Sequence, residues 1–329
     1  MRGKEPAFVA LGHYRRKGGR LFDAGPSRTI IGRLERGSTP CALRIPIGPL
    51  GGHRLRCAEN LGSDPTAERT TTAMKIASLL YHHVGPRPPD SRLASLSVRT
   101  CQFERQMSWL ARRGFVGIRP SEWLRWRRHG AALPSKPVLL TFDDAYADFA
   151  EFALPVLKRF NFSATVFVIT RKIGGVNSWD GARLMSARQI LDCHRDGIEI
   201  AAHSRTHAEL TGLSHPRLVD EVAGSARDLA NLLGQRATCF AYPSGLYNQE
   251  VCEVTAASFD LAFTCNEGMN EAHTDPHLLC RTMVQPGDLM IDWSCRVRLG
   301  WSPVTVMRSG LRIRSRFRNA MRYLSGQDG

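Results

Sequence analysis

The stretch 138-VLLTFDDAYADF-149 decides how the chain reads: an apolar run of strand length passes directly into two adjacent aspartates, Asp143 and Asp144. A short, continuous apolar run that ends in polar residues is the pattern of a strand buried on both faces. Working outward, the same alternation recurs. Upstream, Ala77–Tyr81 reads as a strand. The segment 103-FERQMSWLARRG-114 reads as a helix with Phe103, Met107 and Leu110 on one face and Gly114 as its stop. Phe115–Ile118 then reads as a strand and Pro120–Arg128 as a helix. Downstream, a helix is expected over Asp148–Phe160, a strand over Ala164–Ile169, and a helix from a Ser186 cap to Asp196. A strand over Ile198–Ala202 follows, then a helix lined by Leu218, Val222, Leu229 and Leu233. Strand Cys239–Tyr242, helix Gln249–Ala257 and strands Leu261–Thr264 and Leu279–Val284 close the series. Repeated βα units imply a parallel sheet. The fold class expected is α/β: a distorted or incomplete (β/α) barrel of seven to eight units, with irregular terminal extensions.

The chain has 329 residues and a formal charge of +15. That charge is concentrated at the ends: residues 1–73 carry 13 Lys/Arg against 6 Asp/Glu, and residues 294–329 carry 8 against 1. The middle is nearly neutral, as an enzyme core would be, and nucleic acid is not expected as a partner. Three segments follow: 1–73, a disordered basic extension or a mis-assigned start with Met74 as the true beginning; 74–293, the catalytic domain; and 294–329, a basic tail. The tail stretch 308-RSGLRIRSRFRNAMRYL-324 alternates Arg with apolar residues and is suited to peripheral contact with an anionic membrane. No apolar window reaches the roughly 18 residues that cross a bilayer. Met1–Arg20 lacks the apolar segment of a secretory signal, and the nine scattered cysteines contain no CxxC pair. Both features point to reduced thiols and a cytoplasmic location.

Three expected strands end in reactive groups: Asp143 and Asp144; His203 and His207 in 198-IEIAAHSRTH-207; and the turn in 239-CFAYPSGLYN-248. Each has an ordinary alternative: aspartates cap helices, an HxxxH pair is often exposed, and YPSG is a common turn. Together they differ, because strand ends converge on one rim of a βα barrel. Two imidazoles and a carboxylate make an open three-ligand site for a divalent metal. Zinc is the first choice, and cobalt or nickel would also be accepted. Such a metal lowers the pKa of bound water to about 7.

These motifs resemble the polysaccharide deacetylases of the NodB-homology family, carbohydrate esterase family four. The family's TFDD-Gly motif reads here 141-TFDDA-145, its HSxxH reads 203-HSRTH-207, and its RxPYG reads 241-AYPSG-245. The context 80-LYHHVG-85 and 172-KIGGVNSWD-180 looks like the branch of poly-N-acetylglucosamine deacetylases. The resemblance implies Asp143 as general base, Asp144, His203 and His207 as metal ligands, and the Ser244 backbone N–H as an oxyanion donor. It further implies hydrolysis of an N-acetyl group on a hexosamine-containing saccharide. Ala145 replaces the motif's Gly, and Ala241 stands where the family arginine orients the base. Arg281, in 280-CRTMV-284, is the candidate replacement. No Leu-x-His follows the third motif, so His82 is the candidate for the acid or for orienting the base. His273 and His277 are weaker candidates in a polar loop, and Asp180 either contacts the sugar or caps a turn. The alternatives are hydrolysis of another amide or of an O-acetyl ester on a glycoconjugate and, less favoured, a non-enzymatic basic binding protein.

Overall fold

The computed structural model describes residues 74–86 and 96–303. The chain runs β1 (Ile76–Tyr81), β2 (His83–Val84), β3 (Ser97–Val98), α1 (Thr100–Arg112), β4 (Val116–Ile118), α2 (Pro120–His129) and β5 (Pro137–Phe142). It continues α3 (Leu154–Arg159), β6 (Thr165–Val168), α4 (Ala187–Arg195), β7 (Glu199–Ala202), α5 (His215–Leu233), β8 (Cys239–Ala241) and α6 (Gln249–Ala256). β9 (Leu261–Phe263), β10 (Met269–Asn270), β11 (Thr282–Met283) and α7 (Met290–Leu299) complete it.

β1, β5, β6, β7, β8 and β9 lie side by side in parallel. The segment 279–284 then bridges the two edges. The Leu279 N–H donates to the Ala262 carbonyl at 2.9 Å, and the Val284 N–H donates to the Leu80 carbonyl at 2.9 Å. The sheet therefore curls into a barrel whose last strand is interrupted, in line with the distorted-barrel expectation. That last strand is shorter than the Leu279–Val284 expected from sequence: β11 has two residues, and Leu279 pairs separately with Phe263.

Side chains alternate between two cores, as strand geometry demands. Ile76, Leu139, Phe167, Ala201, Ala241, Leu261 and Phe263 fill the barrel interior, with Trp123 and Trp126 of α2 among them. Ala77, Leu79, Tyr81, Val138, Leu140, Val166, Ile200 and Phe240 face outward to the helices.

Three further features depart from the sequence reading. The helix expected over Asp148–Phe160 is a π-turn (Phe149–Ala153) followed by α3, with the Leu154 N–H bonded five residues back to Phe149. Pro155 supplies no N–H to the Glu151 carbonyl, which removes one bond of a regular helix at that point. The short β2, β3 and β10 carry too few residues for a periodic signal. Finally, α7 runs through the expected 293/294 boundary. Trp293 is fully buried and donates to the Tyr81 hydroxyl at 3.1 Å, which anchors α7 to the barrel. Residues 1–73 and the tail stretch 308–324 lie outside the described residues. Among the described residues, seven cysteines are all free thiols, and no helix is long and apolar enough to cross a membrane.

Candidate active site

The two-residue period that fills the barrel also aims its polar groups. Leu139, Thr141 and Asp143 share the inward face of β5 and its extension, and the Asp143 N–H continues the ladder to the Tyr81 carbonyl at 3.0 Å. Ala201 and His203 share the inward face of β7, as Leu279 and Arg281 do on the last strand. Ile76 and His82 fall on the inward parity of β1. Asp144 would face outward if the strand continued. Its φ of 68° turns the backbone, and its carboxylate joins the inward group.

Asp144, His203 and His207 come together. Asp144 Oδ1 is 3.6 Å from His203 Nε2 and 3.7 Å from His207 Nε2. Ligand atoms held about 2.0–2.2 Å from one tetrahedral ion lie about 3.3–3.6 Å apart, so the three fit a common cation with little adjustment. Two further observations favour that fit. Asp144 Oδ1 is buried with no hydrogen-bond partner among the described residues, a costly state without a cation to face. His203 Nδ1 donates to the Ala241 carbonyl at 2.8 Å, which fixes the tautomer that leaves the Nε2 lone pair free for a metal. Burial, with His203 beside it, pulls the His207 pKa down to about 4, so that imidazole is neutral at pH 7.

Asp143 is held differently. Arg281 grips it with both guanidinium arms, Nη1 to Oδ1 at 2.6 Å and Nη2 to Oδ2 at 3.0 Å. Arg281 is itself fully buried, donates Nε to the Thr264 carbonyl at 2.9 Å, and lies over Phe167 at 5.2 Å. Burial alone would raise the Asp143 pKa, but Arg281, His203 and His82 hold it down to about 2. The carboxylate is thus ionised and fixed 3.9 Å from His203 Nε2. His82 lies beyond the end of β1, near both aspartates. Burial draws its pKa below the usual imidazole range, against the opposing pull of Asp143 and Asp144. Ser244 is exposed in the Pro243–Gly245 turn that follows β8.

Among the described residues, six non-glycine residues adopt left-handed backbone, and five of them stand in these loops: Asp144, Ala145, Ser204, His207 and Ser244. Such conformations cost about 1–2 kcal/mol each and persist where the surroundings over-determine them. The sequence candidates outside this group sit elsewhere. His273 pairs with Glu271 at the surface, His277 Nε2 bonds the Phe259 carbonyl, and Asp180 holds His83. Sequence reasoning missed His83 and the placement of Trp179, whose ring lies 4.7 Å from that of His207. The doubled histidine of 81-YHHV-84 was the signal for the first, and no spacing rule points to the second.

A curled α/β barrel whose carboxyl rim carries an arginine-held aspartate beside an Asp-His-His cluster defines the hydrolase class of barrel enzymes. The chain is an enzyme of the polysaccharide deacetylase family, whose family model matches residues 130–259. It is 30% identical over 220 residues to the polysaccharide deacetylase homologue YxkH of Bacillus subtilis (strain 168), spanning 67% of this chain and 75% of that one. It is 22% identical over 260 residues to the poly-β-1,6-N-acetyl-D-glucosamine N-deacetylase of Staphylococcus aureus (strain MRSA252), spanning 73% and 88%. The Streptococcus pyogenes deacetylase PplD, solved in complex with acetate, superposes with a TM-score of 0.59 at 27% identity, covering 65% of this chain and 94% of that one.

Proposed function

We propose that the protein removes N-acetyl groups from a hexosamine-containing saccharide, with Asp143 as general base and Asp144, His203 and His207 holding a divalent cation, zinc first among the candidates. The observation that carries this reading is the contrast between the two aspartates: Asp143 is saturated by Arg281, while Asp144 presents an unpartnered buried oxygen to two imidazole nitrogens. A cation bound there lowers the pKa of a ligating water to about 7 and so supplies the nucleophile at neutral pH.

The protein's own residues do the rest. Asp143, ionised and immobilised, takes the proton from the attacking water, and Arg281 fixes the direction of the accepting oxygen. His207 stays neutral because burial lowers its pKa, and the bond of His203 Nδ1 to the Ala241 carbonyl keeps His203 Nε2 turned towards Asp144. The left-handed turn at Ser244 presents its backbone N–H as the donor to the oxyanion that develops on the acetyl carbonyl. His82 hands a proton to the departing nitrogen. It is neutral at rest and first receives that proton from its neighbour Asp143.

The decisive experiment measures acetate release by zinc-loaded enzyme from N-acetylglucosamine oligomers and from O-acetylated sugars, before and after chelation. Release from the N-acetyl substrates that stops on chelation and returns with zinc is expected. Release from the O-acetyl substrates alone would transfer the same site to ester hydrolysis, and chelator-resistant turnover would overturn the metal assignment.

A further inference from the structure

A second buried cluster of titratable groups takes no part in that chemistry. His83 follows His82 and so points to the opposite side of the β1 extension. Its Nδ1 lies 2.7 Å from Asp148 Oδ2, its Nε2 lies 3.1 Å from Asp180 Oδ2, and its ring rests on Tyr146 with centroids 3.6 Å apart. A neutral imidazole has one N–H and one lone pair, so only the imidazolium donates to carboxylates on both sides. Burial alone would lower the His83 pKa, but Asp148 and Asp180 together carry it above the ordinary value. The Asp180 side chain is 2% exposed and also accepts from the Ala182 N–H at 3.0 Å.

The cluster joins three segments: β2, the loop after β5 and the loop between β6 and α4. In that last loop Asn177 Nδ2 donates to the Tyr146 hydroxyl at 2.8 Å, and the Leu184 N–H donates to the Gly175 carbonyl at 3.0 Å. Trp179 precedes Asp180 in this loop. It leans on His207, with Lys172 Nζ 4.2 Å from its ring centroid.

We propose that His83 is a positioning residue: as an imidazolium clamped between Asp148 and Asp180, it pins the 174–185 loop so that Trp179 stands as a preformed wall beside His207, against which the sugar ring of the substrate packs. The second half of this statement rests on the deacetylase reading, and the first half does not. Without that imidazolium, two largely buried carboxylates face each other with no positive charge between them and the loop is released. Each substrate molecule would then have to reorder the loop, a cost that appears in KM more than in kcat.

The test uses the zinc-loaded full chain, with amide hydrogen exchange at Asn177 and Leu184 read beside saccharide kinetics. In His83→Gln, exchange at these amides should accelerate at least about tenfold and KM for the N-acetylglucosamine oligomer should rise about tenfold. Zinc content should be unchanged and kcat should stay within about threefold. In His83→Gln/Asp180→Asn, which removes one of the opposed charges, protection and KM should return towards wild type. If His83→Gln does not fold, Asp180→Asn alone should still loosen Leu184. Unchanged exchange in a folded variant, or a double variant no better than His83→Gln, overturns the clamp. Exchange needs no substrate, so an enzyme inactive on every N-acetyl sugar would sink the deacetylase reading while the clamp is judged on its own.

Discussion

Within the barrel, Trp123, Leu139, Leu261 and Phe263 pack in ordinary strand and helix geometry. At the rim, the same strands end in two aspartates and two histidines, with five non-glycine residues in left-handed backbone. The interior side chains are held chiefly by burial, which is non-directional and forgiving of small shifts. The rim is held by fixed-angle contacts, such as Arg281 on Asp143 and the Ala241 carbonyl on His203, and those contacts hold the strained turns in place. The contrast teaches that stability and chemistry are supplied by different layers of one sheet, and substitutions should separate them.

The largest effect should come from Asp143→Asn, which keeps the shape and removes the proposed base: kcat should fall about a thousandfold while bound zinc, read by elemental analysis, stays stoichiometric. Loss of zinc from this variant would merge the roles of the two aspartates. His203→Ala should instead lose the metal, with affinity reduced by about a hundredfold or more. Retained zinc there would break the ligand assignment.

Arg281→Met tests the contact between the layers. It strands a buried carboxylate and should cost about 3–5 kcal/mol in denaturant unfolding. The sign with pH is definite. In the wild type the Asp143 pKa lies below its unfolded value of 3.8, at about 2, so the stabilisation is present above about pH 4 and fades as pH falls towards 2. Without Arg281, burial dominates and raises the pKa. The acid limb of kcat/KM should therefore move to higher pH, and an unmoved limb would deny Asp143 its role. In the interior, Trp123→Ala should cost about 3–5 kcal/mol and leave zinc stoichiometry and kcat of the folded fraction unchanged. The smallest effect belongs to Ala145→Gly: relieving a φ of 57° should stabilise by at most about 1 kcal/mol, with little change in turnover.

The fold was legible because long apolar strands and amphipathic helices announce themselves through period. The strand from Val138 to Phe142 and the helix lined by Leu218, Val222 and Leu229 carry their signal locally. The elements that escaped are those whose reason lies elsewhere in the chain. α7 is fixed by Trp293 reaching Tyr81, 212 residues away, and the π-turn depends on a single proline. The candidate site divides along the same line. Asp143, Asp144, His203 and His207 sit at the ends of strong strands, where motif and period coincide. His83 was passed over because its partners, Asp148 and Asp180, lie 65 and 97 residues downstream and meet it only in three dimensions.

The arginine that grips Asp143 enters from the closing strand, whereas the position held by Ala241 is where the resembled motif places it. A guanidinium fork is needed at one point in space, and strands on either side of β9 can deliver it there. A relative whose third motif lacks its basic letter need not have surrendered its chemistry: the charge has changed address, and reading such sequences column by column would discard working catalysts.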